Sequence, residues 1–255
     1  MDEPLHIGIV AHSAEGATLS YRTVWQEGIR KMGAHQHPRI TMSGGAMAPT
    51  LELWERGDLA ALRQLFREDA ERLAAAGADF FILPDNTAHI ALEYDGAGAG
   101  ADFAIPCLHI AEVVAAQAAA DGRRHIGVLG TSWTMDGPVY EAALARCGLT
   151  CAIPDPEDRD IIHKAIFDEL CLGDFRPETR AEFVRIIGDL QSQGCDAVAL
   201  VCTEIPLLST DDVSPLPILD STRPQATAAV AVAPGESARP SWPAPPRAPP
   251  CRGRP

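Results

Sequence analysis

Positive charge is short in this 255-residue chain: 21 Lys and Arg stand against 35 Asp and Glu, a formal charge of -14. Nucleic acid and anionic membrane both need concentrated cations, so neither is an expected partner. A small anionic substrate needs only a local site and stays open. No run of about 18 apolar residues occurs, so no transmembrane helix is expected. Met1-Asp2-Glu3-Pro4 is acidic and lacks the basic flank of a signal peptide. The seven cysteines are odd in number and scattered, which fits reduced cytosolic thiols better than a disulfide framework; the expected location is cytoplasmic. No Walker sequence is present and no Gly-x-Gly-x-x-Gly follows the first strand, so no cofactor is expected. No metal site is expected either: His35-x-His37 lies in a polar loop, and Cys147 and Cys151 have no histidine at useful spacing.

What is present is an ordinary globular composition, 46% apolar and 22% charged, long enough for one large domain or two small ones. Within it a short pattern occurs twice. Gly77-Ala78-Asp79 leads into Phe80-Phe81-Ile82-Leu83 and then Asp85-Asn86-Thr87. Gly194-Cys195-Asp196 leads into Ala197 to Val201 and then Cys202-Thr203-Glu204. Each is a Gly-x-Asp turn, an apolar run suited to a buried parallel strand, and a polar cluster. An offset of about 117 residues superposes them. Leu5 to Ser13 is echoed by the stretch opening at His125-Ile126-Gly127, and Ile105-Pro106-Cys107 by Leu216-Pro217-Ile218. Three matched segments in one order point to an internal duplication.

Strand and helix signals alternate throughout, so the expected fold is α/β, with two similar open parallel sheets related by a pseudo-twofold and a cleft between them. The expected halves are 1–115, joined by about 216–232, and 116–215. Residues 233–255 turn abruptly to Pro, Ala and Arg, and are expected to form a disordered tail. A helical stretch from about Leu51 to Ala76 is divisible at Gly57-Asp58, which offers a stop and a cap.

Parallel α/β sheets bind ligands outside the carboxyl ends of their strands. Asp85 and Cys202 are thus expected to face one cleft. Each has a plainer reading as well: Cys202 as a small buried apolar residue, Asp85 as a helix cap. Pro206 suits a first helical position, and a helix starting there would bring amides near the sulfur and favour thiolate. Glu204 could orient or deprotonate that thiol. His89, one helical turn beyond Asp85, reads as structural.

Asp85-Asn86-Thr87 and Cys202-Thr203-Glu204 together resemble the two motifs of the pyridoxal-independent aspartate/glutamate racemase superfamily, Cys-Asn-Thr and Cys-Thr-Glu (or Cys-Thr-His). The resemblance runs from about Ile7 to Arg223. Asp85 stands where the first motif has its cysteine. The resemblance implies that Cys202 and Asp85 are catalytic and that Asn86, Thr87 and Thr203 bind a substrate carboxylate. It gives the same role to Thr131 and Ser132 of the Gly130-Thr131-Ser132 loop. Lys164 sits where some aspartate-specific members carry a basic residue for the side-chain carboxylate. The companion arginine of those members has no match around Met42 to Gly45, and His12 to Ala17 lacks the family's Ser-Thr pair.

The expected function is therefore a cofactor-independent racemase of aspartate, glutamate or a related acid, working by removal and return of the α-proton. Two alternatives stand beside it: a single-thiol decarboxylase or isomerase of a malonate-like acid, and a catalytically dead amino-acid-binding protein. The expected partner is a small amino acid or dicarboxylate, and a homodimer is the assembly to test for.

Overall fold

In the computed structural model, residues 3–94 and 103–240 are described. Among these residues seven strands form two parallel sheets. β1 (Ile7–Val10) lies between β2 (Ile40–Ser43) and β3 (Phe80–Ile82), in the order β2-β1-β3. A bridge from Phe81 to Cys107 adds a fourth, minimal rung. β4 (His125–Gly130), β5 (Thr150–Ala152), β6 (Ala197–Val201) and β7 (Ile218–Asp220) form the second sheet, in the order β5-β4-β6-β7. The central strands β1, β3 and β6 are buried throughout because helices cover both faces, which is why they read as unbroken apolar runs.

The two halves repeat each other in atomic detail. α3 (Leu59–Ala75) ends on Gly77 at φ 90°, and α9 (Pro177–Ser192) ends on Gly194 at φ 95°, a left-handed turn that favours glycine. Ala78 N–H returns to Leu73 C=O at 3.0 Å, and Cys195 N–H to Leu190 C=O at 3.1 Å. Asp79 then accepts from His6 N–H at 2.8 Å, and Asp196 from Arg124 N–H at 2.9 Å, pinning each turn to the start of its central strand. Gly8 on β1 and Gly127 on β4 lie under Leu73 and Leu190; a Cβ on either would approach the leucine Cδ1 to 3.0 and 2.9 Å.

The remaining helices are α1 (Ala14–Met32), α2 (Ala48–Glu55), α4 (Ala88–Glu93), α5 (Ile110–Ala120), α6 (Ser132–Asp136), α7 (Pro138–Arg146), α8 (Pro156–Asp168), α10 (Ile205–Leu208) and α11 (Thr222–Val232). Local chemistry starts several of them. Ser13 caps α1 through Gly16 N–H at 3.0 Å, and Asp58 caps α3 through Ala61 N–H at 3.0 Å. The division at Gly57-Asp58 is where α2 and α3 separate.

Two helices cross between the halves. α5 buries Ala111, Val114 and Ala118 against Ile126, Val128 and Val139 of the second half. α11 buries Ala226, Ala229 and Val230 against Ile7, Ile9 and Phe80 of the first. The chain thus leaves the first sheet near Leu108, ahead of the 115/116 boundary read from sequence. It returns after β7, which pairs in the second sheet. Small alanine faces let each crossing helix lie close on its host sheet. At the C-terminus, Ala233 is buried, its carbonyl accepts from Leu5 N–H at 2.8 Å, and Glu236 pairs with Lys31 at 2.7 Å. Residues 241–255 of the expected tail lie outside the described residues. No helix among the described residues is long and apolar enough to cross a membrane.

Candidate active site

The carboxyl ends of the two central strands of each sheet converge on one cleft, lined from both halves. From the first half come His12, just past β1, and Asp85-Asn86-Thr87, past β3; from the second come Thr131, past β4, and Cys202-Thr203-Glu204, past β6. Gly16 permits this approach, because a Cβ there would stand 2.5 Å from the Pro84 carbonyl and 3.0 Å from the Thr203 methyl.

On the first-half side, His12 Nδ1 meets Asp85 Oδ2 in a short contact, and Nε2 lies 2.7 Å from Thr50 Oγ1. Thr50 spends its only hydroxyl proton on Met47 C=O at 2.6 Å. It must therefore accept from His12, so Nε2 carries a hydrogen. One further proton is then shared between Nδ1 and Asp85. Burial pulls the imidazole pKa down, but the Asp85 charge and hydrogen bond outweigh it, with smaller help from Asp69 and Glu204, and leave it raised. Burial pushes Asp85 up, and the His12 charge and hydrogen bond, with Ala88 N–H, overcome that and hold it below the usual carboxylate range. The pair rests as imidazolium and carboxylate. Asp85 Oδ1 accepts from Ala88 N–H at 3.0 Å, so the same side chain also caps the short α4. The two readings of Asp85 from sequence are not exclusive.

On the second-half side, Cys202 Sγ donates to Glu204 Oε2 at 3.1 Å, and Thr203 Oγ1 donates to the same oxygen at 2.8 Å. Burial, followed by the Glu204 carboxylate, pushes the thiol pKa well above its ordinary value. Pro206 does open a helix, α10, but it is four residues long, and burial and Glu204 dominate its amides. The resting sulfur is a thiol, hydrogen-bonded to the Glu204 carboxylate.

Around these pairs lies a neutral polar floor. Thr87, Thr131 and Thr134 form a closed triangle of hydroxyls, with Oγ1 separations of 2.9, 2.8 and 3.0 Å. The triangle satisfies its own donors, and one hydroxyl must rotate out to meet an arriving carboxylate. Asn86 donates to Ser221 Oγ at 3.0 Å and accepts from the Tyr140 hydroxyl, which ties the first half to the second.

Two expected site residues lie elsewhere. Lys164 is exposed on α8, and only its neighbours Ile166 and Phe167 reach the cleft. Ser132 starts α6 and gives its N–H to His163 Nδ1 at 3.2 Å, away from the lining. His89 is fully buried, bonded to Leu83 C=O at 3.0 Å, with its pKa pushed down to about 3 by burial and the nearby His109.

Comparison with known proteins bears on this geometry. The Asp/Glu/Hydantoin racemase family model matches residues 7–229. The chain belongs to that family. It superposes on a Yersinia pestis structure named for the Asp/Glu racemases with a TM-score of 0.80, at 30% identity, covering 90% of this chain and 99% of the other. An aspartate racemase homologue from Pyrococcus horikoshii OT3 shares the fold at a TM-score of 0.72 and 24% identity, over 90% and 99% of the two chains. The broad specificity amino-acid racemase RacX of Bacillus subtilis (strain 168) is 25% identical over 169 residues, 63% of this chain and 67% of its own. Membership places the chain among the isomerases of the amino-acid racemase type.

For a member of the Asp/Glu/Hydantoin racemase family, His12 is the site residue that the motifs left unmentioned. The strand-end rule that nominates Asp85 and Cys202 applies equally to it, since His12 follows β1 as Thr131 follows β4. Nothing local announced the apolar lining from Trp54, Trp133 and Phe167, which arrives on three separate helices. Among the described residues no group of three or more His, Cys, Asp or Glu is placed to hold a metal ion.

Proposed function

We propose that the protein racemises an α-amino acid without pyridoxal, using two unlike acid–base pairs. The observation that carries this is the presence of both pairs in one cleft, each from an equivalent strand end of its half. The α-proton of an amino acid has a very high pKa, so its removal needs a base on one face, an acid on the other, and donors for the charge that builds on the carboxylate. In one direction Cys202 passes its proton to Glu204, and the thiolate takes the α-proton, breaking C–H and making S–H. Thr87, Thr131 and Thr203 donate to the enolate-like oxygens. The imidazolium–carboxylate pair of His12 and Asp85 then delivers its mobile proton to the opposite face. In reverse, the deprotonated imidazole–carboxylate pair is the base and Cys202 the acid, and the thiolate left behind recovers its proton from Glu204.

A carboxylate of depressed pKa is a poor base on its own. The His12 partnership supplies a conjugate acid suited to neutral pH, which is what an Asp replacing a thiol needs. The test is α-proton loss in deuterated water, followed by proton NMR for each enantiomer separately. Both enantiomers are expected to exchange. Exchange from neither, across a broad amino-acid panel, would remove the racemase reading. The inequality of the two pairs favours one alternative, a decarboxylase of a substituted malonate that protonates from the Cys202 face only; it would release carbon dioxide without exchanging the α-proton of an amino acid.

A further inference from the structure

We infer that the substrate carries an apolar, preferably aromatic, side group and a single carboxylate, and that Trp54, Trp133 and Phe167 form the surface that selects it. The inference rests on the racemase reading for its catalytic arm and on the cleft alone for its binding arm. Among the described residues no lysine or arginine lines the cleft, and its charged groups are His12, already paired to Asp85, and the acids Asp85 and Glu204. A second carboxylate entering here would lose water, meet no free cation, and face the uncompensated Glu204 carboxylate, all of which oppose binding.

The rest of the wall is apolar and large. Trp54 of α2 stacks on Trp133 of α6 with ring centroids 5.8 Å apart and planes 28° apart. Phe167 of α8 meets Trp133 edge-on at 5.8 Å and 74°. Met47, Leu51, Ile166, Cys171 and Val201 extend this wall, opposite the hydroxyls and amide of the polar floor. The aromatic surface therefore spans the seam, with one indole from the first half and two rings from the second. A phenyl group moved from water onto this surface gains about tenfold or more in affinity over a methyl group. Lys164, which in an aspartate-specific arrangement would face the second carboxylate, is on the solvent side of α8.

Two measurements test this. The first is calorimetric titration of the full chain with 3-phenylpropanoate and with succinate, which needs no turnover. The expected result is binding of 3-phenylpropanoate at least tenfold tighter than succinate. Succinate binding as tightly or tighter overturns the inference. The second is α-proton exchange in deuterated water with phenylalanine, leucine and methionine against aspartate and glutamate. The expected kcat/KM is at least tenfold higher for the apolar set, and a preference for the acidic pair overturns the inference. If no amino acid exchanges but 3-phenylpropanoate binds tenfold tighter than succinate, the racemase reading fails and the specificity surface stands. Phe167→Ala should raise the Kd for 3-phenylpropanoate at least fivefold while leaving the melting temperature within a few degrees. An unchanged Kd removes Phe167 from the surface.

Discussion

The two halves differ where chemistry happens and agree where packing is tight. Gly77 and Gly194, Asp79 and Asp196, and the Gly8–Leu73 and Gly127–Leu190 contacts repeat with the same geometry. At the strand ends, by contrast, the first half presents an imidazolium–carboxylate pair and the second a thiol–carboxylate pair. A Cβ at either glycine would push a buried leucine from its place, so packing favours glycine there. A strand-end side chain projects into a cleft and can change without disturbing the sheet, which is how one scaffold carries two unlike proton donors.

The largest expected effect comes from removing the second-half pair. Cys202→Ala should lower turnover at least about a thousandfold, because a base lost from one face has no substitute. The melting temperature should stay within a few degrees, since the change removes one sulfur at a partly open cleft. Turnover near the parental rate would show that the halves differ in appearance only.

Next comes the first-half pair. Asp85→Asn keeps an acceptor for Ala88 N–H but takes the negative charge from beside His12, so the imidazole pKa should fall. Exchange should drop about a hundredfold for the enantiomer served by that face, and far less for the one served by Cys202. The face-resolved exchange rates decide it; an equal drop on both faces would mean that Asp85 acts only through structure.

Smaller effects test the shared scaffold. Gly8→Ala and Gly127→Ala should each cost about 1–3 kcal/mol in urea unfolding, by forcing Leu73 or Leu190 from its place. Pairing each with a leucine truncation should recover part of that loss. If only one of the two glycines were sensitive, the halves would not be mechanically equivalent.

The last contrast is in acid. His89 is buried neutral, with a folded pKa of about 3 against an ordinary 6.5. The unfolded chain therefore binds the proton first, so the stabilisation is complete above about pH 6.5 and is lost as pH falls toward 3. Between pH 7 and pH 5 this amounts to about 2 kcal/mol, read as a lower urea midpoint. His109, buried beside it with a pKa likewise pushed down to about 3, adds a matching contribution; His89→Gln should therefore reduce the acid slope without abolishing it, and an unchanged slope would exclude His89 as one of its sources. His12 runs the opposite way: its raised pKa contributes stability that is present below about pH 6.5 and is lost as pH rises through the folded value.

Much of this was legible in the residues themselves. Gly77-x-Asp79 and Gly194-x-Asp196 carry a left-handed turn and a backbone acceptor in three residues, so the repeat could be read without coordinates. Cys202-Thr203-Glu204 is contiguous, and the thiol-to-carboxylate contact forms within it. Lys164 was harder to read because helical periodicity places a residue on a face without saying which face meets the cleft. The crossing of α5 was hidden for a similar reason: its alanine face is compatible with either half.

Sequence alone determined where the site-bearing strands β1, β3, β4 and β6 end and the chemical types standing there, because those follow from apolar runs, turn residues and contiguous motifs. Only the tertiary structure decided that His12 pairs with Asp85, 73 positions away, and that the pair shares one proton. It also decided that indoles from α2 and α6 stack across the seam. Such contacts depend on sheet register and on how the halves close, and the pattern of residues within any one element carries neither.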